Sequence, residues 1–418
     1  MNENPGRFTR RTALRALAAG SLAAVPGLAG CSRTEEAAPS RVGPTINHYG
    51  LTPNDFALLN LKADSCQAWE DGFRTAATNA DPRVYEWWHT ELTGEDGIVV
   101  AFTLKTRPGD GLTAEADRRP AVNLLITTPW GNEFSVFRTY DWNEFSSATD
   151  RCDVRVGPFR LTGDLNGYQL RGTADNITLN LDLVSLAPPF RPGTGHVYLG
   201  GPDDYQAWFA AMPSGKAQGH IVFYDEKRDF TGTAYHDHTW GNVPLPQFVE
   251  RWRTGMGVAD RYSVVARDIH LRGKYDSTDL TVLLIDDIEA KKRLVAAYAD
   301  DTLNATEMQS GTDDGSFPEV QWNYTGENSA IVTLTAGERL VPGRPYVNGS
   351  GAVLQASRGG DAERGGTRKP AWYERNEAEI RLSLGTMGPG YRVTGTGTLD
   401  NAQFALLNGQ PAPKPSPS

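Results

Sequence analysis

The sequence predicts an all-β protein whose antiparallel sheets close into barrels or pack as sandwiches. Its 418 residues include 44 glycines, 26 prolines and 10 tryptophans, a composition that suits a turn-rich β protein better than a helical bundle. Runs of alternating apolar and polar residues recur between short turn signals such as Asp-Gly and Asn-Gly. Together these observations favour antiparallel β structure, and the length allows two domains of ordinary size.

The first 30 residues predict export. Arg10 and Arg11 precede a weakly apolar, alanine-rich stretch, which is the arrangement of a twin-arginine export signal. The stretch ends in Leu-Ala-Gly-Cys, which is similar to a lipobox in which Cys31 is lipidated and becomes the first mature residue. An ordinary secretory signal that ends in a chance cysteine is the alternative. We therefore expect a signal peptide over residues 1–30 and a lipoprotein on the extracytoplasmic face of the cell membrane.

The residues after the signal predict a tether. Residues 31–45 are mostly polar, as in a spacer that holds a domain away from a membrane. The apolar part of the signal is too short for a spanning helix and is interrupted by Arg15, and no other run approaches about 20 apolar residues. We therefore expect the membrane as a partner only through the lipid anchor.

Period-two alternation predicts the strands in the body of the chain. In residues 177–186, for example, Ile177, Leu179, Leu181 and Leu183 alternate with more polar residues, as in a half-buried strand. Residues 203–212 suit a helix or a strand, and residues 349–370 suggest a long mobile loop. Similar runs predict further strands at residues 97–107, 121–129, 132–140, 219–225, 280–287, 329–335 and 378–384.

A short internal echo suggests that one β unit is duplicated. Residues 231–237 (TGTAYHD) and 394–400 (TGTGTLD) share Thr-Gly-Thr and an aspartate at the same offset. The proline-rich segment that ends at residue 246 is a candidate boundary. The expected organisation is a first domain at 46–246, a second domain at 247–410 and a disordered tail at 411–418.

Charge and missing motifs exclude several functions. The formal net charge is −10, and no basic stripe is present, so nucleic acid is not expected as a partner. The sequence holds no Gly-x-Ser-x-Gly, dinucleotide fingerprint or phosphate loop, so no cofactor is expected. Cys66 and Cys152 remain after removal of the signal, and whether they form a disulfide stays open.

The segment TGTAYHDHTWGNVPLP (231–246) holds the densest set of reactive side chains. On a strand, His236 and His238 point one way while Tyr235 and Asp237 point the other. His-x-His on a strand is a known geometry for zinc or iron. The candidates for a further ligand are His89, His220 and several carboxylates, and none stands at a recognisable metal spacing. The alternative is local hydrogen bonding by the two histidines, and we expect no metal.

Asp237 is the candidate acid. A carboxyl group flanked by aromatic residues such as Tyr235 and Trp240 is poorly solvated, which favours its protonated form, and a neutral carboxylic acid can donate a proton. The alternative is a carboxylate paired with an arginine or a histidine. Other tryptophans either fill the core or offer π faces to a developing carbocation. The candidates for this pocket wall are Trp87, Trp88 and Trp252.

Three motifs carry a resemblance to a known family. YEWWHTEL (85–92), GTAYHDHTWGNVP (232–244) and RWRTGMG (251–257) occur in this order. Their order and spacing resemble the lipocalin-like double-barrel family, which includes carotenoid 1,2-hydratases (hydroxyneurosporene synthases), kievitone hydratases and fungal decalin-forming Diels–Alderases. The resemblance spans roughly residues 46–410. The chain departs from the family pattern at Ala234, where glycine is expected, and at His89, where an aromatic residue is expected.

The resemblance implies two lipocalin-like antiparallel β-barrel domains that meet around a hydrophobic cavity. In carotenoid hydratases an acidic residue protonates an isoprenoid double bond and water captures the cation. This role carries over to Asp237, with His238 orienting the acid or handling the water. The residues expected to contact the substrate are Tyr235, His236, Trp240, Trp87, Trp88 and Trp252.

The expected function is acid-assisted hydration of a carbon–carbon double bond in a hydrophobic polyene, prenylated or terpenoid compound. Two alternatives stay open. In a pericyclase the pocket folds a polyketide-like substrate into a reactive shape, and a lipid-anchored carrier only binds an apolar ligand. The fold alone does not choose among them. In each case the partner is a hydrophobic small molecule, and the protein is expected to be a monomer.

Overall fold

The fold is described from a computed structural model. The predicted signal peptide, Cys31, the tether to residue 45, the loop at 349–370 and the tail at 411–418 lie outside the described residues. In the part of the chain that is described, no helix has the length and hydrophobicity that a membrane span requires. The described residues are 48–79, 81, 83–108, 118–299, 301–309, 319–345, 372–388 and 390–404.

Strands dominate these residues, so the all-β prediction is confirmed. The first antiparallel sheet contains β1 (His48–Tyr49), β2 (Tyr85–Gly94), β3 (Val99–Lys105), β4 (Ala121–Thr127), β5 (Glu133–Thr139), β6 (Phe145–Ser147), β7 (Cys152–Val156), β8 (Phe159–Gly163), β9 (Gly167–Ala174), β10 (Ile177–Ser185), β11 (His196–Tyr198), β12 (Tyr205–Phe223) and β13 (Glu226–Gly241). The second contains β14 (Val249–Ala259), β15 (Tyr262–Leu271), β16 (Asp279–Asp287), β17 (Lys292–Tyr298), β18 (Leu303–Gln309), β19 (Glu319–Tyr324), β20 (Ala330–Pro345), β21 (Trp372–Leu384) and β22 (Arg392–Gln403).

The predicted strands are confirmed, and the ambiguous segment 203–212 belongs to β12, a strand of 19 residues. Two short helices accompany the sheets. α1 (Pro53–Leu58) begins after Thr52, whose side chain accepts a hydrogen bond from the backbone N–H of Asp55 while the Asp55 carboxylate accepts one from the backbone N–H of Thr52. α2 (Leu245–Phe248) lies in the connection between the sheets.

The two sheets repeat one topology. In the first, the order is β5-β4-β3-β2-β13-β12-β10-β9-β8-β7-β6, and in the second it is β17-β16-β15-β14-β22-β21-β20-β19-β18. Each order contains a meander of four strands, β2–β5 or β14–β17. The first strand of each meander pairs with the last strand of its sheet, β13 or β22. The sequence echo therefore falls on two equivalent strands.

Close backbone approach explains the glycines of that echo. A Cβ atom added to Gly232 in β13 would lie 2.1 Å from the carbonyl oxygen of Thr93 in β2. A Cβ atom added to Gly395 in β22 would lie 1.9 Å from the carbonyl oxygen of Val258 in β14. Both distances are far below van der Waals contact, so only glycine fits where each last strand meets its first strand.

Three apolar clusters account for the packing. One lies inside the first sheet and is built around Trp88 and Phe102, and a second lies inside the second sheet around Trp322 and Ile380. The third joins side chains of both sheets, such as Trp208 and Val265. Strands β2 and β13 serve two clusters because their alternate residues point to opposite faces. The outer faces of the two curled sheets thus pack against each other.

The two cysteines are free thiols in the structure. Cys152 is buried within the first sheet's cluster, while Cys66 is only partly buried and packs at its edge. Burial and the neighbouring Glu70 carboxylate raise the pKa of the Cys66 thiol to about 11. The protonated thiol is a poor nucleophile, so neither position suggests a reactive cysteine.

His196 in β11 makes folding stability sensitive to acid. Burial, reinforced by Arg74 and Arg191, lowers the pKa of this imidazole to about 4, although its ring Nδ1 lies 3.1 Å from the carbonyl oxygen of Thr194. A histidine whose pKa is lowered by folding stabilises the folded state above its unfolded pKa, and the contribution is lost as the pH falls through the folded pKa. The window here runs from pH 6.5 down to about 4.

Across this window we expect His196 to account for a loss of about 3 kcal/mol in the free energy of unfolding. His196→Gln keeps a donor for the Thr194 carbonyl and should flatten this part of the stability profile. The measurement is urea unfolding at a series of pH values, with the partly exposed His220→Gln as the control. Equal acid sensitivity in wild type and His196→Gln would contradict the assignment.

Candidate active site

Asp237 lies near the C-terminal end of β13, which runs between β2 and β12, and is on the face that looks toward the second sheet. Its half-buried carboxylate accepts a hydrogen bond from the hydroxyl of Tyr235 at 2.7 Å and one from Nε1 of Trp208 at 3.2 Å. Both bonds end on Oδ2, so the described contacts fix the orientation of the carboxylate and leave Oδ1 as the atom that can exchange a proton.

Tyr235 donates its hydrogen bond to this carboxylate over the whole physiological pH range. Burial, reinforced by the charge of Asp237, raises the pKa of the Tyr235 hydroxyl well above its usual value. The hydroxyl therefore keeps its proton at physiological pH and remains a hydrogen-bond donor to the carboxylate. Since the indole N–H of Trp208 does not titrate in this range either, both groups that hold Oδ2 are neutral donors.

Strand alternation divides the predicted site residues between two faces. Tyr235 and Asp237 face the second sheet, as does Trp87, which stacks on Tyr85 at 5.2 Å between ring centroids and 15° between planes. The other predicted residues of the two strands point into the first sheet's interior: His236, His238, Trp88 and Trp240.

The expectation that His238 orients Asp237 is therefore wrong. Nε2 of His238 donates to Oε1 of Glu86 at 2.8 Å, on the opposite side of β13 from Asp237. The His238 ring stacks on Trp88, with ring centroids 4.6 Å apart, and meets Trp240 in a tilted arrangement at 4.8 Å. Neither tryptophan flanks Asp237, because adjacent residues of a strand point to opposite faces.

His236 belongs to the same interior network. Its Nε2 lies 3.2 Å from Oδ2 of Asp71, its Nδ1 lies 2.7 Å from the carbonyl oxygen of His89, and Tyr168 donates to the same Asp71 oxygen at 2.7 Å. Burial alone would lower the pKa of His236, but the Asp71 carboxylate and these hydrogen bonds outweigh burial and raise it. With an acceptor at each ring nitrogen, the imidazolium form fits this position.

A group of possible metal ligands lies in this network. Asp71, Cys152 and His236 each offer a donor atom, and these atoms lie within 4.8 Å of one another. Carboxylate, thiolate and imidazole donors are those that zinc prefers. Hydrogen bonds within the chain already engage Asp71 and His236, and burial and the Asp71 charge raise the pKa of the Cys152 thiol well above its usual value. The expectation of no metal stays a prediction.

The imidazole on the face of Asp237 belongs to His89. His89 in β2 is the direct cross-strand partner of Asp237, and side chains of such a pair stand about 5 Å apart at Cβ. Its Nδ1 lies 3.0 Å from Oγ1 of Thr103, and its side chain is 20% exposed. The sequence marked His89 as a departure from the family pattern, and the structure brings it beside the acid.

The second sheet contributes Arg267 and Trp252. The Arg267 guanidinium carbon lies 4.7 Å from the ring centroid of Trp208 and 5.4 Å from that of Trp252. Nε1 of Trp252 donates to Oγ1 of Thr254. Trp252, predicted from the sequence, thus lies across from Trp208, whose indole N–H binds Asp237.

Sequence reasoning missed Trp208 and Arg267. Trp208 stands in the segment whose structure was ambiguous, so its face could not be assigned. The sequence pattern does indicate that Arg267 is buried. Val265 and Ile269 flank it on the same face of β15, so a charged residue interrupts an apolar alternation. That signal indicates an arginine inside the protein, although it does not indicate the partner across the interface.

Aromatic rings continue from Trp208 across the packed faces. Phe190 lies 6.5 Å from Trp208 and 5.6 Å from Tyr298 between ring centroids, and Tyr298 lies 6.0 Å from Tyr49. All but the partly exposed Tyr298 are buried. Aromatic side chains thus line the interface between the sheets beside one oriented carboxyl group.

A second polar network ties the two sheets together. Arg375 in β21 forms an ion pair with Oε2 of Glu91 in β2 at 2.8 Å and donates to both carboxylate oxygens of Asp400 at 2.6 and 2.8 Å. Thr398 donates to the other Glu91 oxygen at 2.6 Å. Burial would raise the pKa of Glu91, but Arg375, with His89 and Thr398, outweighs burial and lowers it to about 2.

Comparison with known proteins supports a shared fold. No family model matches the chain. Hydroxyneurosporene dehydrogenase from Chlorobaculum tepidum is 27% identical over 92 residues, which are 21% of this chain and 24% of that protein. The matched segment thus spans about a quarter of the relative's length.

The similar solved structures cover most of the chain. CghA with Sch210972 aligns with a TM-score of 0.56 and 14% identity over 78% of this chain and 89% of that one. A putative AttH from Nitrosomonas europaea aligns with a TM-score of 0.51 and 15% identity over 77% of this chain and 93% of that one. At such identities the likeness establishes the architecture alone. The chain therefore has the fold of the lipocalin-like double-barrel proteins that its motifs resemble.

Proposed function

We propose that the protein is an enzyme that hydrates a carbon–carbon double bond of a hydrophobic polyene, prenylated or terpenoid compound. The observation that carries this proposal is the carboxyl group of Asp237, oriented by Tyr235 and Trp208 at the edge of the aromatic cluster between the sheets. The partial match to hydroxyneurosporene dehydrogenase supports an isoprenoid-like substrate. A lipid anchor at Cys31 would place the reaction on the extracytoplasmic face.

The proposed step begins with a proton on Oδ1 of Asp237. The π electrons of the alkene form a C–H bond with this proton, and the more substituted carbon becomes a cation. Water adds to that carbon and returns one proton to the Asp237 carboxylate, so the enzyme is regenerated and the product is a tertiary alcohol. The hydrogen bonds from Tyr235 and Trp208 stabilise the carboxylate while the proton is absent.

Arg267 restricts where a carbocation can form. Its guanidinium group lies over Trp208 and Trp252, so these two π faces already hold a cation. The predicted role of Trp252 as a direct stabiliser of the cation is therefore dropped from the proposal.

Arg267 also supports cyclisation as the second candidate. A guanidinium beside an apolar pocket can polarise a carbonyl of a polyketide-like substrate and lower the barrier of a cycloaddition, while the aromatic wall folds the chain. The likeness to CghA with Sch210972 is compatible with this alternative. A carrier requires neither an oriented carboxyl group nor a fixed guanidinium.

Labelled water separates the three functions. We expect incubation of the protein with acyclic prenylated compounds in H₂¹⁸O to give a product that has gained one molecule of labelled water, detected by mass spectrometry. Cyclisation would give an isomer with unchanged mass, and a carrier would return the starting compound. A panel that contains a carotenoid, a prenylated phenol and a polyene with an acidic head covers the substrate classes considered.

A further inference from the structure

Arg267 is a buried cation on an apolar face. It lies in β15 between Val265 and Ile269, whose side chains belong to the cluster between the sheets, and it is only 6% exposed. Burying a charged group is costly unless other groups compensate for its lost hydration. A buried arginine at this position therefore needs a group that compensates for its lost hydration.

The described residues supply no anionic partner for this guanidinium group. The contacts of Arg267 are with the faces of Trp208 and Trp252. Its Nε is buried without a hydrogen-bond partner, and no ion pair joins it to a carboxylate of the described chain. Arg267 acts electrostatically on the hydroxyls of Tyr49 and Tyr235, and both are neutral because burial raises the pKa of each.

Another arginine at the same interface is neutralised. Arg375 lies between the carboxylates of Glu91 and Asp400, with three contacts of 2.6 to 2.8 Å. That arrangement is what a buried structural arginine requires. Arg267 lacks it, and its cation–π contacts with two indoles place the guanidinium beside both rings.

We propose that Arg267 anchors the acidic head of the ligand, a carboxylate, between the two sheets. The planar fork of a guanidinium binds two oxygens of one acid through parallel hydrogen bonds. Since Trp208 contacts both the Arg267 guanidinium and the Asp237 carboxylate, the head and the reacting double bond would be held at a fixed separation. The proposal rests on the proposed site and names the class of molecule that the site selects.

The test compares two ligands that differ only in charge. cis-Parinaric acid and its methyl ester are fluorescent polyenes, and their binding can be followed by energy transfer from tryptophan at pH 7.5. We expect wild-type protein to bind the acid at least about tenfold more tightly than the ester, as for a hydrogen-bonded charge. Arg267→Met should remove this preference by weakening acid binding alone, and Arg267→Lys should retain part of it because the charge remains.

Two controls make the result specific. Arg228→Met removes a guanidinium that also lies over a tryptophan, 5.2 Å from the Trp130 centroid, but far along the first sheet; it should leave the preference unchanged. Asp237→Asn should also retain the preference, although it strongly slows hydration under the proposed function. A preference for the acid without any hydration activity would support the anchor and reject the hydratase.

Three outcomes would overturn the proposal. They are equal affinity of wild-type protein for the acid and the ester, no binding of either probe, and a preference that survives Arg267→Met. The first two need no variant, so a folding defect of Arg267→Met cannot mask them. Hydration of an uncharged alkene together with equal affinities would reject the anchor and keep the hydratase.

Discussion

Asp237→Asn should lower kcat for the proposed hydration by about 10²- to 10⁴-fold, the range for loss of a general acid. The asparagine side chain keeps the size of the carboxyl group and an oxygen that can accept from Tyr235 and Trp208, so the pocket should keep its shape. Substrate affinity should change little, because proton transfer contributes only in the transition state. The measurement is steady-state kinetics together with direct binding of substrate.

The matched comparisons are Asp182→Asn and Tyr235→Phe. Asp182 is an exposed aspartate of β10 in the same sheet, and its replacement should leave kcat unchanged. Tyr235→Phe removes one of the two donors to Oδ2 and should give a smaller loss than Asp237→Asn. Full activity in Asp237→Asn would reject the acid role of Asp237. A cyclase that depends on pocket shape is expected to keep full activity in this variant.

Arg375→Met should destabilise the protein by about 3–5 kcal/mol, the cost of leaving buried charges without a partner. Arg375 is the cation between Glu91 and Asp400, and all three side chains are buried. Without it, two carboxylates from different sheets face each other in a poorly hydrated interface. Urea unfolding followed by tryptophan fluorescence measures the change.

Arg381→Met on the same strand is the control for this prediction. Arg381 pairs with Glu319 at 2.6 Å, but its side chain is 49% exposed, so its replacement should cost no more than about 1 kcal/mol. If the two variants were equally stable, the network of Arg375 would contribute nothing beyond a surface ion pair. A large loss in Arg375→Met alone shows that these charges hold the sheets together.

Local pattern was sufficient to predict the strands and the two faces of β13. Ile177 to Leu183 alternate as a buried strand should, and β10 occupies that segment. The same rule separates His236 and His238 from Tyr235 and Asp237. Grouping His238 and Trp240 with Asp237 as one site contradicted that rule, because side chains of neighbouring residues on a strand do not share a face.

The partners of Asp237 could not be predicted in this way. Trp208 reaches it only because β12 pairs with β13 in one register, and a shift by one residue would point the indole to the opposite face. Arg267 belongs to the other sheet. Asp71, which contacts His236, lies in a short 3₁₀ helix at Ala68–Asp71. Such contacts depend on pairings between distant segments, which periodicity does not encode.

The repeated topology also places Asp237 and Asp400 at equivalent points of their sheets, opposite His89 and Thr254. Asp400 is held in an ion pair by Arg375, while the described hydrogen bonds to Asp237 come from two neutral donors. The same aspartate position thus contributes to the stability of the interface in one half of the molecule, while in the other half it is the proposed acid.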